Sequence, residues 1–166
     1  MEIEIRKAKE SDEPVILEIA YAAWLSAYSH ILGKDAIVQK FENRKKDRAY
    51  HEEQLKEINE TDKHFVATKN GTVLGFVSVS DESEFFEITR LYVNPTEQRG
   101  GIGKKLFDKA IEIAKSKNFK TMRIEALKQN NIGCSFYKKH GGEIISTKTK
   151  FLCGVEAELL TFEYNL

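Results

Sequence analysis

The run Leu91 to Phe107, LYVNPTEQRGGIGKKLF, constrains this chain more than any other, because an apolar strand pattern passes through a glycine-rich turn into an amphipathic helix. Gly100, Gly101 and Gly103 remove the Cβ atoms that would hold a ligand away from the backbone. The start of the helix presents amides that have no intrahelical partner. A diphosphate is expected to dock on such a turn. Three phosphate-binding patterns compete for it. A nucleoside triphosphate loop requires GxxxxGK followed by Ser or Thr, but Gln98 stands at the first glycine and Lys105 follows Lys104. A dinucleotide fingerprint requires a third glycine where Leu106 stands, although Glu125 falls near the position of its acidic residue. The third pattern is Gln or Arg, two residues, Gly, one residue, then Gly or Ala. Gln98, Gly101 and Gly103 meet it in full.

Two further pieces accompany that turn: the strand-like TMRIEAL (Thr121 to Leu127) and the stretch QNNIGCSFYKKHGGEII (Gln129 to Ile145). With them, the chain resembles the GCN5-related N-acetyltransferases from about Glu84 to Ile145. The last stretch is similar to the family's Asn-x-x-Ala-x-x-Phe-Tyr-x-x-x-Gly-Phe. Gly133 replaces its Ala and Gly142 its final aromatic, and both departures are expected to loosen the packing around a short helix.

The resemblance implies one α/β (α+β) domain over residues 1–166. Its sheet would be mixed and mostly antiparallel, of about seven strands, with helices on both faces and a central parallel pair. It also implies acetyl-CoA as cosubstrate, no metal, and direct attack of an amine in a ternary complex. The backbone at Leu91, Tyr92 and Val93 would pair with the pantetheine arm. Gln98, Arg99, Gly100, Gly101, Ile102, Gly103 and Lys104 would cradle the pyrophosphate, with the amides of Arg99, Gly101, Gly103 and Lys104 as donors. Asn130 would hold the cofactor's amide region and Tyr137 would act as general acid near the sulfur. Glu87, eleven residues before Gln98, sits where some members keep a general base. The segment YAAWLSAYSHIL is similar to members acting on small amines, including polyamines, while peptide N-termini remain an alternative acceptor.

Composition sets outer bounds. Lys plus Arg and Asp plus Glu both number 26, so no global charge draws the protein to nucleic acid or to an anionic membrane. Cys134 and Cys153 share no ligand spacing, and two thiols in a chain of 166 residues suit a reducing cytoplasm better than a disulfide or a zinc site. The N-terminus is charged and alternating, and no run is expected to span a membrane.

Along the chain, Ile3 and Ile5 alternate as in a half-buried strand. Ser11 or Asp12 offers a helix N-cap ahead of Pro14, and Gly33 ends or interrupts that helix. Lys34 to Thr61 is highly charged and reads as one or two helices lying over the surface. Asn70-Gly71 closes a hairpin between His64–Thr68 and Thr72–Ser80. A strand ending at Val93, a helix with Ile102, Leu106, Ala110 and Ile113 inward, and the strand Thr121 to Leu127 form a parallel βαβ unit. A short helix, Ile132 to His140, precedes a late antiparallel hairpin, Glu143 to Lys150 and Val155 to Tyr164, on whose edge two copies could pair.

Each candidate residue also has a plainer reading. Glu87 equally suits a solvated strand start, Phe136 and Tyr137 an apolar anchor, and Asn130 or Asn131 a helix cap. Asp81, Glu82, Glu84 and Glu87 could steer a cation or simply form a wet turn. Trp24, Tyr28 and Phe41, with His30, fit core packing better than an acceptor pocket. A catalytically idle CoA-binding domain and an NAD-binding oxidoreductase domain stay open. Gly101→Val is expected to obstruct the diphosphate far more than it alters folding.

Overall fold

The computed structural model describes residues 2–166. Asn70 and Gly71, at φ 52° and 78°, form the left-handed pair that closes a tight hairpin between β2 (His64–Lys69) and β3 (Thr72–Asp81). β1 (Glu4–Lys7) pairs antiparallel with β2, and β4 (Phe86–Val93) pairs antiparallel with β3. β5 (Thr121–Leu127) lies parallel to β4. The hairpin of β6 (Glu143–Leu152) and β7 (Val155–Asn165) completes the order β1-β2-β3-β4-β5-β7-β6. This is the mixed, mostly antiparallel seven-stranded sheet with one parallel pair that the sequence leads one to expect.

Strand alternation sends side chains to two cores. Phe86, Ile88, Met122, Ile124 and Phe162 pack with α4 (Ile102–Ser116) and α5 (Asn131–Lys139). Val66, Phe76, Leu127 and Leu159 pack with α1 (Glu13–Leu32), α2 (Lys34–Lys46) and α3 (Arg48–Glu60) on the other face. Two expectations change here. The charged stretch after Gly33 does not merely cover the surface, because α2 drives Ile37 and Phe41 to full burial. In α4 the inward stripe runs through Phe107 and Ala114, leaving Ile113 half-buried.

A third correction concerns membranes. The segment Glu10–Leu32 is long and apolar enough to span one, with mean hydropathy 1.4 over its most apolar window. In the fold its apolar residues Ile16, Leu17, Ile19, Ala20 and Ala23 pack in the sheet-facing core instead.

Gly75 sets the distance between sheet and helix. A Cβ there would stand 2.9 Å from the Tyr92 carbonyl oxygen and 3.2 Å from both Ile102 and Leu106. The start of α4 therefore rests on a strand position that has no side chain.

Asp12 also departs from the sequence reading. Its side chain does not cap α1; it accepts from Arg6 at 2.7 and 3.0 Å and from the Lys9 amide at 2.8 Å. Burial pushes the Asp12 carboxyl up, but the Arg6 and Lys9 hydrogen bonds outweigh it and hold the group below its ordinary value. The stabilisation is present above the unfolded-state pKa and is lost as pH falls through the folded one. Asp12→Ala should cost about 1.5–3 kcal/mol by denaturant unfolding at pH ~7. The gap to the parent protein should narrow steadily as pH falls below ~4.

Candidate active site

The sheet opens at its centre. β4 and β5 pair only through Phe86, Glu87 and Ile88 with Met122, Arg123 and Ile124. Beyond Ile88, β4 stays with β3, where Val77, Phe76 and Gly75 face Leu91, Tyr92 and Val93, while β5 stays with β7 as far as Leu127 and Leu159. A register shift between Ser78 and Val79 falls beside the point of divergence, and bulges of this kind bend a strand. Leu91, Tyr92 and Val93 thus turn one backbone edge toward β5 without pairing to it. An extended, amide-bearing arm suits that edge as a strand would.

The glycine turn lies directly beyond. Asn94 caps a short 3-10 turn, Pro95–Glu97, by accepting from the Thr96 amide at 3.2 Å. Arg99 and Gly101 then adopt φ 74° and 77°. Alternating left-handed residues turn successive amides inward, the concave arrangement that receives anions. The first helical hydrogen bond is from the Lys105 amide to the Gly101 carbonyl at 3.1 Å, which leaves the Ile102, Gly103 and Lys104 amides at the positive end of the helix. A Cβ on Gly101 would meet nothing within 4 Å, so the backbone is open to a ligand there. These features fit a diphosphate. The Lys104 ammonium is held by Asp108 at 2.7 Å, so Lys104 offers its amide rather than its side chain. The expectation for Gly101→Val needs correction, since at φ 77° a branched residue also strains the fold. Gly103 isolates the effect better, because its Cβ would sit in ordinary contact, 3.7 Å from Phe136 and 3.8 Å from Val93.

α5 follows β5, and its Tyr137 and its capping residue Asn130 come close to the Tyr28 and Tyr92 phenols. Asn130, not Asn131, is the cap, accepting from the Gly133 amide at 3.1 Å. Neither glycine departure loosens the packing. A Cβ on Gly133 would come within 2.4 Å of the Asn130 side chain, and one on Gly142 within 2.7 Å of the Tyr164 hydroxyl. That hydroxyl donates to the Tyr137 carbonyl at 2.9 Å, so the phenol of Tyr164 closes up against the bare glycine. Tyr137 is buried among Phe136, Phe162 and Cys134. Burial pushes its phenol far above the ordinary range, with Tyr92 and Tyr164 adding to the effect.

On the α1 side, the Trp24 indole donates to the Tyr92 hydroxyl at 3.0 Å, and Tyr28 meets Trp24 edge-on at 5.1 Å. Burial pushes the Tyr28 phenol well up, with the Tyr92 and Tyr137 phenols adding to it and Asn130 opposing. Sequence periodicity assigned this stripe to the core. Phe41 is fully buried there, Trp24 and Tyr28 pack half-buried against the same core, and His30 is exposed. Tyr92, whose alternation with Leu91 and Val93 aims it at α1, packs beside them.

Glu87 lies between Phe86 and Ile88, so its side chain points to the α1 face. Burial pushes its carboxyl above the usual range, and Glu125 and Glu82 push the same way against Lys148 and Lys150. Among the described residues, no group of three or more His, Cys, Asp or Glu side chains is placed to hold a metal.

A strand pair that parts beside a glycine-floored helix start suits an extended ligand that carries a diphosphate. The model of the acetyltransferase (GNAT) family matches residues 23–142, and the chain belongs to that family. It is an N-acetyltransferase. It is 29% identical over 148 residues to the spermidine N(1)-acetyltransferase of Thermoplasma acidophilum, covering 89% of this chain and 92% of that one. A crystal structure of PaiA N-acetyltransferase from Thermoplasma acidophilum, in complex with coenzyme A, superposes with a TM-score of 0.84 at 27% identity, with both chains fully covered. The structure of yncA from Salmonella typhimurium, with its cofactor acetyl-CoA, shares the fold at a TM-score of 0.70 and 22% identity, covering 99% of this chain and 94% of its own.

Gly142→Ala should destabilise the protein by about 1–3 kcal/mol through overpacking against Tyr164. It should also lower turnover by displacing Tyr137. Tyr164→Phe in the same chain should recover part of both losses, which a double-mutant cycle in unfolding and rate measurements will show.

Proposed function

We propose that the protein transfers the acetyl group of acetyl-CoA to the primary amine of a small cationic acceptor, by direct attack in a ternary complex. The carrying observation is the gap that opens between β4 and β5 beyond Ile88, beside the free edge of Leu91–Val93 that leads into the glycine turn. The turn holds the diphosphate, the free edge of β4 aligns the arm, and Asn130 borders the arm's amide region. Acetyl-CoA supplies an activated thioester. The chain supplies position and proton transfers.

An alkylamine of pKa ~10.4 costs ~4–5 kcal/mol to deprotonate near neutral pH. Glu87, raised toward neutrality, takes this proton directly or through water. As the carbon–nitrogen bond forms and the carbon–sulfur bond breaks, Tyr137 gives its proton to the departing thiolate; the second proton shed by the acylated nitrogen passes through water to the phenolate and restores it, and the proton on Glu87 leaves to solvent. Burial makes the phenol a weak acid, and the same burial raises the proton affinity of a thiolate departing beside it, so the transfer is drawn by the charge that develops on sulfur.

Similarity to a spermidine acetyltransferase supports a polyamine acceptor. The reading takes residues 1–166 as one acetyltransferase domain. Two unpaired thiols, Cys134 and Cys153, support a cytoplasmic setting. β6, exposed along almost its whole length at the sheet edge, supports pairing of two copies.

Acetyl-CoA should raise the melting temperature, whereas NAD should leave it unchanged; the reverse would favour the oxidoreductase reading. Tyr137→Phe should lower kcat on the order of a hundredfold with CoA affinity retained. An unchanged kcat, or no turnover by the parent protein on polyamines, amino sugars or peptide N-termini, would refute the proposal. Because Glu87 must be ionised to act, kcat/KM should fall as pH drops through a value above the ordinary carboxylate range of ~4.3. Glu87→Gln should abolish that limb of the profile.

A further inference from the structure

β4 separates two cavities on the α1 face, each of about 330 Å³. The first is basic. It is lined by Arg44, Lys63, His64 and Arg90, and its one carboxylate, Glu57, is already held by His64 at 2.9 Å. The second is acidic, with Glu82, Glu87 and Glu125 on its wall. Its cations are committed: Arg123 pairs with Glu163 at 2.8 Å, and Lys148 and, from beside the cavity, Lys150 pair with Glu125 at 2.5 and 3.4 Å, which leaves Glu82 and Glu87 as its unpaired carboxylates. None of the ion pairs among the described residues reaches Glu82 or Glu87.

An independent observation marks the same cavity. Thr161 lines it, is only 5% exposed, and has the one buried side-chain oxygen left without a hydrogen-bond partner among the described residues. Thr161 faces Glu125 across the β5–β7 ladder, which places this hydroxyl beside the carboxylates. Buried polar atoms are normally satisfied, so an orphan acceptor in an acidic cavity calls for a donor from outside the chain. An alkylammonium group supplies both the donor and the charge.

We infer that this cavity seats a second cationic nitrogen of the acceptor, held by Glu82 and the Thr161 hydroxyl while a terminal primary amine of the same molecule reacts at the cleft. The inference rests on the acetyltransferase reading and names its substrate class: linear di- or polyamines rather than monoamines. Glu87 lines the cavity one residue before the pairing of β4 with β5 ends, and so stands between the anchored end and the gap. The basic cavity on the other side of β4 repels an ammonium, so a linear polycation has one favourable direction in which to lie.

Thr161→Val tests this in the full chain, because it keeps the shape and removes only the hydroxyl. Deleting an unsatisfied buried group is neutral or stabilising, so the melting temperature should stay level or rise. Calorimetric affinity for spermidine and for putrescine should nevertheless fall about tenfold, the scale of one hydrogen bond to a charged group. Selectivity for either amine over butylamine, read as the ratio of kcat/KM values, should fall with it. Glu82→Gln, at an exposed position, should weaken spermidine binding and flatten its salt dependence. Parent-like spermidine affinity in Thr161→Val, or equal losses on spermidine and butylamine, would overturn the assignment. Failure to acetylate any amine would instead remove the acetyltransferase reading on which it rests.

Discussion

Three residue pairs join β4 to β5, and the site depends on the pairing stopping there. Parallel strands with helices on both faces are ordinarily paired along their length, since an unpaired backbone edge inside a fold is expensive. Here the two strands are claimed from opposite sides, β4 by β3 and β5 by the inserted strand β7. Each keeps its ladder with its outer neighbour, and the cleft opens between them. The open edge, the glycine turn at the end of β4 and the helix after β5 then converge on one place.

The local devices around the cleft are small and specific. Gly75 lets α4 settle onto β3, so that the amides at the helix start come to lie at the cleft mouth. Gly142 lets Tyr164 reach the Tyr137 carbonyl, fixing the turn of α5 that carries the phenol. Trp24 anchors Tyr92 from the other face. The acidic cavity works the opposite way, leaving Glu87 crowded by like charge and Thr161 without a partner. Sites built for ligands commonly carry such unresolved interactions in the free protein.

Much of the fold could be read from residue order. Asn70-Gly71 marked its hairpin, the apolar run after Glu84 marked β4, and the spacing of Gln98, Gly101 and Gly103 marked the phosphate turn, because each depends on neighbours in sequence. What escaped was tertiary. Asp12 looked like a cap until its fold placed it beside Arg6. Tyr28 is core as its spacing predicts, but its neighbour Tyr92 comes from a different strand and could not be read from that spacing. Tyr164, far along the chain from Gly142, filled the space that this glycine was expected to leave loose. Thr161 and Glu125 gained meaning only from the β5–β7 register, which local patterning does not encode.

The claim that the parted strands and the glycine turn together receive acetyl-CoA is tested most directly by amide hydrogen exchange with and without CoA. Protection should rise at Leu91–Val93 and at Gly101–Lys104, and the amides of β1 and β2 should exchange at unchanged rates. Saturation with CoA that leaves both segments unprotected, while amides elsewhere slow down, would contradict the account.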